Sequence, residues 1–278
     1  MATKLINKII QESLKINNDQ SFKQDVYYLA QKAFNMSLEE LFINENQEVD
    51  SELFDDYFSR YLNGEPLYYI LKEAPFYGKT FSVNSKVLIP RNETEELVLY
   101  VINYVKRNKL DNVTILDVGT GSGCIAVTLN LEIKDSKVTG VDISKDALEV
   151  AKMNNDKLNG KVTFYKSDCF DEVIKRKETY QIIVSNPPYI DRDSFVEKSV
   201  LDYEPHLALF ADNKGLAILE KLIMNIDKVL IDKGLAIFEI SPEQEENLKN
   251  IAHKYIPSYQ IEFVKDINNF VRFMVLKK

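Results

Sequence analysis

From Val113 onward, short apolar runs bounded by turn residues alternate with helical periodicity. That alternation limits the possible folds more than any other feature. "VTILDVG", "KVTGVDI", "VTFYKSD", "YQIIVSN" and "GLAIFEI" read as strands, and "QIEFVKD" with "NFVRFMVLK" reads as a closing hairpin. Between them lie a helix from Ser122 to Leu131 and one capped by Ser144 that runs to Leu158. Another spans Asn213 to Ile231 and turns Leu216, Leu219, Ile223, Ile226 and Leu230 inward. Strands joined by helices pair in parallel with a right-handed crossover. The expected class is therefore α/β, a doubly wound, mostly parallel seven-stranded sheet with helices on both faces.

Upstream the texture is helical. Leu5, Ile9, Ile10 and Leu14 recur at helical spacing, as do Val26, Leu29 and Ala30, and Leu38, Leu41 and Phe42 follow a capping Ser37. Asp50 to Leu62 adds another helix with Leu53, Tyr57 and Tyr61 on one face. "NGEPLYYI" breaks this pattern, and "FYGKTFSVNSKVLIP" has the aromatic and β-branched content of a hairpin, with turn signals at Gly78 and Asn84–Ser85. Helical spacing resumes from Glu93 to Lys106. The expected domains are a helical one over residues 1–75, a hairpin linker over 76–90 and the α/β domain over 91–278.

The 278 residues are 45% hydrophobic and 28% charged, ordinary for a soluble protein. No apolar run is long enough to span a membrane, and Lys4, Lys8 and Glu12 interrupt the N-terminus, so the expected location is cytoplasmic. Cys124 and Cys169 lack metal-ligand spacing and read as reduced core residues. A net charge of −8 weighs against a protein whose main task is gripping nucleic acid.

Two stretches carry chemistry. "LDVGTGSGC" lies where the first strand meets its helix, the place where open α/β sheets bind ligands. Gly119, Gly121 and Gly123 allow a tight turn and a close approach of ligand to backbone, but the third glycine comes one position earlier than in the dinucleotide fingerprint. With Asp117 closing the strand, this spacing suits a nucleoside without a pyrophosphate, and S-adenosylmethionine fits better than NAD. Asp142, ending the second strand, is placed for ribose hydroxyls, and Asp168, after the third, for an adenine edge.

The other stretch is "IIVSNPPYI", a buried strand ending in Asn186, Pro187, Pro188 and Tyr189. Each proline fixes its own φ and holds the preceding residue extended. The carbonyls are left as outward acceptors beside an amide and an aromatic face. Such a cradle is built for something planar that carries N–H groups.

At this point the chain resembles the class I methyltransferases and, more narrowly, the PrmC/HemK family. "PLYYIL" with "FYG", "VLIPRNETEELV", "LDVGTGSG", "SDCF", "NPPYI" and "EPHLALFADNKGL" fall in that family's order across nearly the whole chain. The resemblance implies transfer of a methyl group from S-adenosylmethionine to the glutamine side-chain amide in the Gly-Gly-Gln loop of class 1 peptide chain release factors. It implies Asn186, Pro187 and Tyr189 as catalytic residues that, with Pro188, hold the glutamine. The Asn186 oxygen and the Pro187 carbonyl take its two N–H bonds while Tyr189 lies over the amide. It also implies a cofactor site of Asp117, the run Gly119, Thr120, Gly121, Ser122 and Gly123, then Asp142, Asp168, Cys169 and Asn186, with Arg91 and Thr94 beside it. A monomer without stable nucleic-acid partners is the default expectation.

Lys72 and Asn92 depart from the glycine and proline usual at those positions, and "EISPEQ" lacks a glycine often found there. Asn-Pro-Pro-Tyr is shared with methyltransferases of adenine or guanine amino groups, which remain the alternative. A cofactor-binding scaffold without catalysis is the other.

Overall fold

The computed structural model of the protein describes residues 3–17 and 19–278. They form two compact units: the residues up to Glu73 together with Glu197–Tyr203, and Ala74–Val196 together with Glu204–Lys278.

The first unit packs the helices Ile6–Leu14, Gln20–Phe34, Leu38–Ile43, Glu52–Leu62 and Leu67–Leu71 around Ile6, Ile9, Val26, Leu29, Leu41 and Phe54. Ser37 caps the third helix in a reciprocal box, accepting from the Glu40 N–H at 3.2 Å while its own N–H donates to the Glu40 carboxylate at 2.7 Å. Two details differ from the sequence expectation. "LYYIL" is a helical turn rather than a break, and Thr3–Leu5 pairs antiparallel with Glu48–Asp50. Lys72 closes the Leu67–Leu71 helix in the left-handed region at φ +58°, a position that favours glycine and costs a lysine about 1 kcal/mol.

The second unit holds the sheet. Its strands are β1 (Thr114–Val118), β2 (Lys137–Asp142), β3 (Thr163–Lys166), β4 (Tyr180–Ser185), β5 (Leu230–Glu239), β6 (Gln260–Lys265) and β7 (Val271–Lys277). Their spatial order is β6-β7-β5-β4-β1-β2-β3. β3, β2, β1, β4 and β5 run parallel, and β7 enters antiparallel between β5 and β6. The helices used below are α1 (Asn92–Asn108), α2 (Cys124–Glu132), α3 (Lys145–Lys157), α4 (Ala217–Asn225) and α5 (Glu245–Tyr255).

Side-chain alternation separates the two faces. Leu116, Ile183, Ala236, Phe238 and Met274 face α4 and α5. Ile115, Ile182, Val184, Ile237 and Phe273 face α1 and α2. The hairpin strands Glu73–Phe76 and Lys79–Ser82 turn at Tyr77 and Gly78, with φ +50° and +69°. Phe76 and Phe81 enter the same core as Leu97 and Val98 of α1, so the hairpin is part of the α/β unit rather than a linker. The Asn84–Ser85 turn signal does not belong to it.

The helix expected from Asn213 to Ile231 is shorter. Asn213, Lys214 and Gly215 all sit at positive φ, which delays α4 to Ala217, and Leu230 and Ile231 already belong to β5. A Cβ on Gly215 would lie 2.1 Å from the Tyr189 carbonyl oxygen, so no side chain fits there.

Candidate active site

The C-terminal ends of β1, β2 and β4 open onto a cavity of about 410 Å³, within the range of small-molecule sites. Its wall includes Gly119 to Ser122 of the glycine loop, Asp142, Asp168, Cys169, Asn186, Pro187 and Pro188, so most residues expected to bind the cofactor and to hold the acceptor border one space, while Asp117 and Gly123 lie behind it. Tyr189 does not line it.

β1 ends at Asp117–Val118, and the chain then turns through Gly119, Gly121 and Gly123 at φ +72°, +55° and +79° before α2 begins. A Cβ at Gly119 would project into open space, whereas one at Gly123 would press to 3.1 Å from Ala151 Cβ. The first glycine thus leaves room for a ligand, and the last allows α2 to approach α3. Asp117 is fully buried and accepts from the Thr120 hydroxyl at 2.6 Å. Burial pushes its carboxyl up to about 7. Ser122 lines the cavity, and its hydroxyl is buried beside the Cys124 thiol.

Asp142 accepts from the backbone N–H groups of Gly121 at 2.9 Å and Ser144 at 2.8 Å. Each oxygen keeps a second lone pair for hydroxyl donors. Asp168 pairs with Lys221 at 2.9 Å, a partner the sequence did not reveal. Cys169 sits beside it at φ +48° with a buried thiol, outside any disulfide, that burial pushes up to about 12.

The other wall is "VLIPR". Arg91 forms an ion pair with buried Glu204 at 2.5 Å, and Glu204 also accepts from the Ile89 N–H at 3.4 Å. Arg91 therefore lines the cavity with its charge already matched. His206 is packed edge-on against Phe210 at 5.5 Å.

Beneath the cradle runs a chain of polar groups. The Asn186 side-chain N–H donates to the Thr94 hydroxyl at 3.0 Å. That hydroxyl donates to Glu239 at 2.8 Å, and the Tyr189 hydroxyl donates to the other Glu239 oxygen at 3.2 Å. Tyr189 is thus tied down by its phenol and packed against the core, not laid across the cavity as expected. Its carbonyl accepts from the Gln244 side chain at 3.1 Å. Glu239 was missed because it ends an apolar strand, "AIFE", where the pattern announces only core. An acid at the carboxyl end of a central strand was the available signal.

Two family models match, the PrmC N-terminal domain over residues 8–71 and the methyltransferase small domain over residues 99–202. The chain is 41% identical to the release factor glutamine methyltransferase of Staphylococcus aureus, over 81% of this chain and 80% of that one. It is 40% identical to that of Streptococcus pneumoniae, over 84% and 83%, and 34% identical to that of Mycoplasma mycoides, over 98% and 97%. Among solved structures, a methyltransferase from Pyrococcus furiosus shares the fold at TM-score 0.55 and 17% identity, covering 81% of this chain and 98% of that one. A T. thermophilus 16S rRNA N2 methyltransferase in complex with AdoMet and guanosine does so at 0.53 and 14%, covering 74% and 49%. The α/β unit has the class I methyltransferase fold, and the chain belongs to the release factor glutamine methyltransferase family.

Proposed function

We propose that this protein is a cytoplasmic, monomeric enzyme that methylates the N5 amide nitrogen of the glutamine in the Gly-Gly-Gln motif of class 1 release factors, with S-adenosylmethionine as donor. The observation that carries this is the orientation of Asn186, whose side-chain amide donates an N–H to the Thr94 hydroxyl. Its oxygen is thereby left for an N–H donor in the same cavity as the glycine loop.

The residues present suit the cofactor. Asp142 offers spare lone pairs to the ribose hydroxyls, Ile143 an apolar face to the base, and the Gly119 turn, open where a Cβ would stand, a backbone cradle to the rest. When bound, S-adenosylmethionine supplies an electrophilic methyl on a sulfonium. An amide nitrogen is a weak nucleophile because its lone pair is delocalised into the carbonyl. Asn186 Oδ1 and the Pro187 carbonyl take one N–H each, favouring the pyramidal nitrogen reached near the transition state. Held by two prolines, these acceptors need little reorganisation during reaction. The helical unit serves to dock the folded factor.

Tritiated S-adenosylmethionine with three acceptors (a release factor, duplex DNA and ribosomal RNA) tests the proposal. Label on the glutamine of the factor supports it. Label on either nucleic acid instead would move the enzyme to the exocyclic-amine methyltransferases, and no transfer to any acceptor would leave a binding scaffold.

A further inference from the structure

Asn186 can present either edge of its amide to the cavity. Only one edge accepts an N–H, and the two are nearly equal in shape. Something must choose between them, and the choice is visible in the proton count beneath the cradle. The Thr94 hydroxyl has a single proton, which goes to Glu239. Its oxygen can then only accept, so Asn186 must give it an N–H and keep its own oxygen for the cavity. The Tyr189 hydroxyl donates to the second carboxylate oxygen, so one acid anchors both polar residues of the cradle.

We propose that Glu239 is a positioning residue for methyl transfer: its carboxylate, acting through the Thr94 hydroxyl, fixes which edge of the Asn186 amide faces the acceptor. The inference rests on the proposed function, because it concerns the site's selectivity for an N–H donor. Glu239 lies at the end of β5, is 1% exposed and does not line the cavity, so it never meets the substrate. Thr94, 2% exposed in the first turn of α1, carries its influence to the wall. Burying a carboxyl costs free energy, and a merely structural position at the end of an apolar strand would be served by leucine. The charged groups facing it are Arg272 from β7, which is held by Asp266 at 3.2 Å, and Glu93 from α1.

Replacing the carboxylate with an amide removes the constraint. The glutamine N–H can donate to Thr94, whose proton is then released toward Asn186 Oδ1. The Asn186 amide turns over and offers N–H where the acceptor also offers N–H.

The test uses the full chain with release factor and S-adenosylmethionine. Glu239→Gln should lower kcat on the order of 10²-fold, the cost of a misplaced catalytic group. Cofactor affinity by calorimetry and KM for the factor should move less than about threefold. Thr94→Val should match it, Thr94→Ser should restore turnover, and the double variant E239Q/T94V should be no slower than either single one. A second readout needs no acceptor: the Asn186 side-chain N–H pair, assigned in 15N spectra by its loss in Asn186→Ala, should exchange slowly in the wild type and fast in Glu239→Gln. Near-wild-type kcat in Glu239→Gln, multiplicative losses in the double variant, or equal exchange in both proteins would overturn the positioning role. A wild type that transfers nothing to the factor would overturn the proposed function instead, and the exchange comparison would still decide the relay.

Discussion

Asn154 gives a prediction whose size follows from geometry. It sits on α3, is fully buried, and uses its whole amide. Its oxygen accepts from the Ser82 N–H at 2.7 Å, and its two N–H groups donate to the Ser82 carbonyl and the Ser122 carbonyl, both at 2.9 Å. One side chain thus fastens the hairpin and the glycine loop to the same helix. In Asn154→Ala, water can reach half-buried Ser82, but Ser122 is 2% exposed and its carbonyl is stranded. A stranded buried acceptor costs about 1–3 kcal/mol and each of the two replaced bonds about 1, giving a loss of about 3–5 kcal/mol. For an α/β unit of this size that lowers Tm by roughly 6–20 °C. Asn154→Asp separates hydrogen bonding from packing. It keeps the shape but sets carboxylate oxygens against two carbonyls, so it should destabilise more than alanine does. Thermal unfolding by circular dichroism reads the stability, and calorimetry with S-adenosylmethionine should show weaker binding, because the glycine loop loses its tether. A wild-type Tm for alanine, or an aspartate variant more stable than alanine, would refute the reasoning.

Asn186→Ala should cut methylation on the order of 10²–10³-fold with cofactor binding largely kept, as single-turnover assays and calorimetry would check. Asp142→Ala should weaken S-adenosylmethionine more than it slows saturated turnover, since its contacts persist from ground to transition state; unchanged affinity would remove it from the site. Burial pushes the Glu239 carboxyl up to about 7, so turnover should climb as pH rises through that value, and the kcat profile of Glu239→Gln, taken with S-adenosylmethionine saturating, should climb less, the remainder belonging to Asp117. The same titration acts oppositely on stability. The folded acid holds its proton to higher pH than the unfolded one, so stability falls as pH rises from the ordinary glutamate range through about 7, a slope that melts of Glu239→Gln should show diminished, with the share of buried Asp117 left in place. Deleting the residues up to Glu73 should spare cofactor affinity and abolish methylation of the intact factor. Circular dichroism must confirm that the α/β unit survives with Glu197–Tyr203 left without its own unit.

The strands were legible because parallel strands buried on both faces are apolar almost throughout, as β1 and β4 are. The glycine loop and the cradle were legible because positive φ and proline geometry leave few residue choices. Helix limits near Asn213 were not. Two non-glycine residues at positive φ carry no sequence signal, and the apolar Leu230 and Ile231 suit a helix as well as a strand. Tyr189 was assigned to the cavity because an aromatic beside an amide invites stacking, while its real partner lies far along the chain. Thr94 was singled out, but its link to Glu239 stayed hidden for the same reason: 145 residues separate them, and only the folded sheet brings them to 2.8 Å.

The position of β7 sets a timetable for the nascent chain. It is the last of the seven strands to be synthesised, yet it lies inside the sheet, paired with both β5 and β6. Until it arrives, β5 has an open edge on one side, an invitation to wrong pairing. Its residue Phe273 lies opposite Glu239, and the adjacent Arg272 faces that acid. The glycine loop can form as soon as β1 and β2 meet, but the support under the cradle waits for the final strand. A ribosome-bound chain lacking β7 should therefore be an incomplete catalyst, and the site that prepares release factors for their work should close only after the last of the seven strands has emerged.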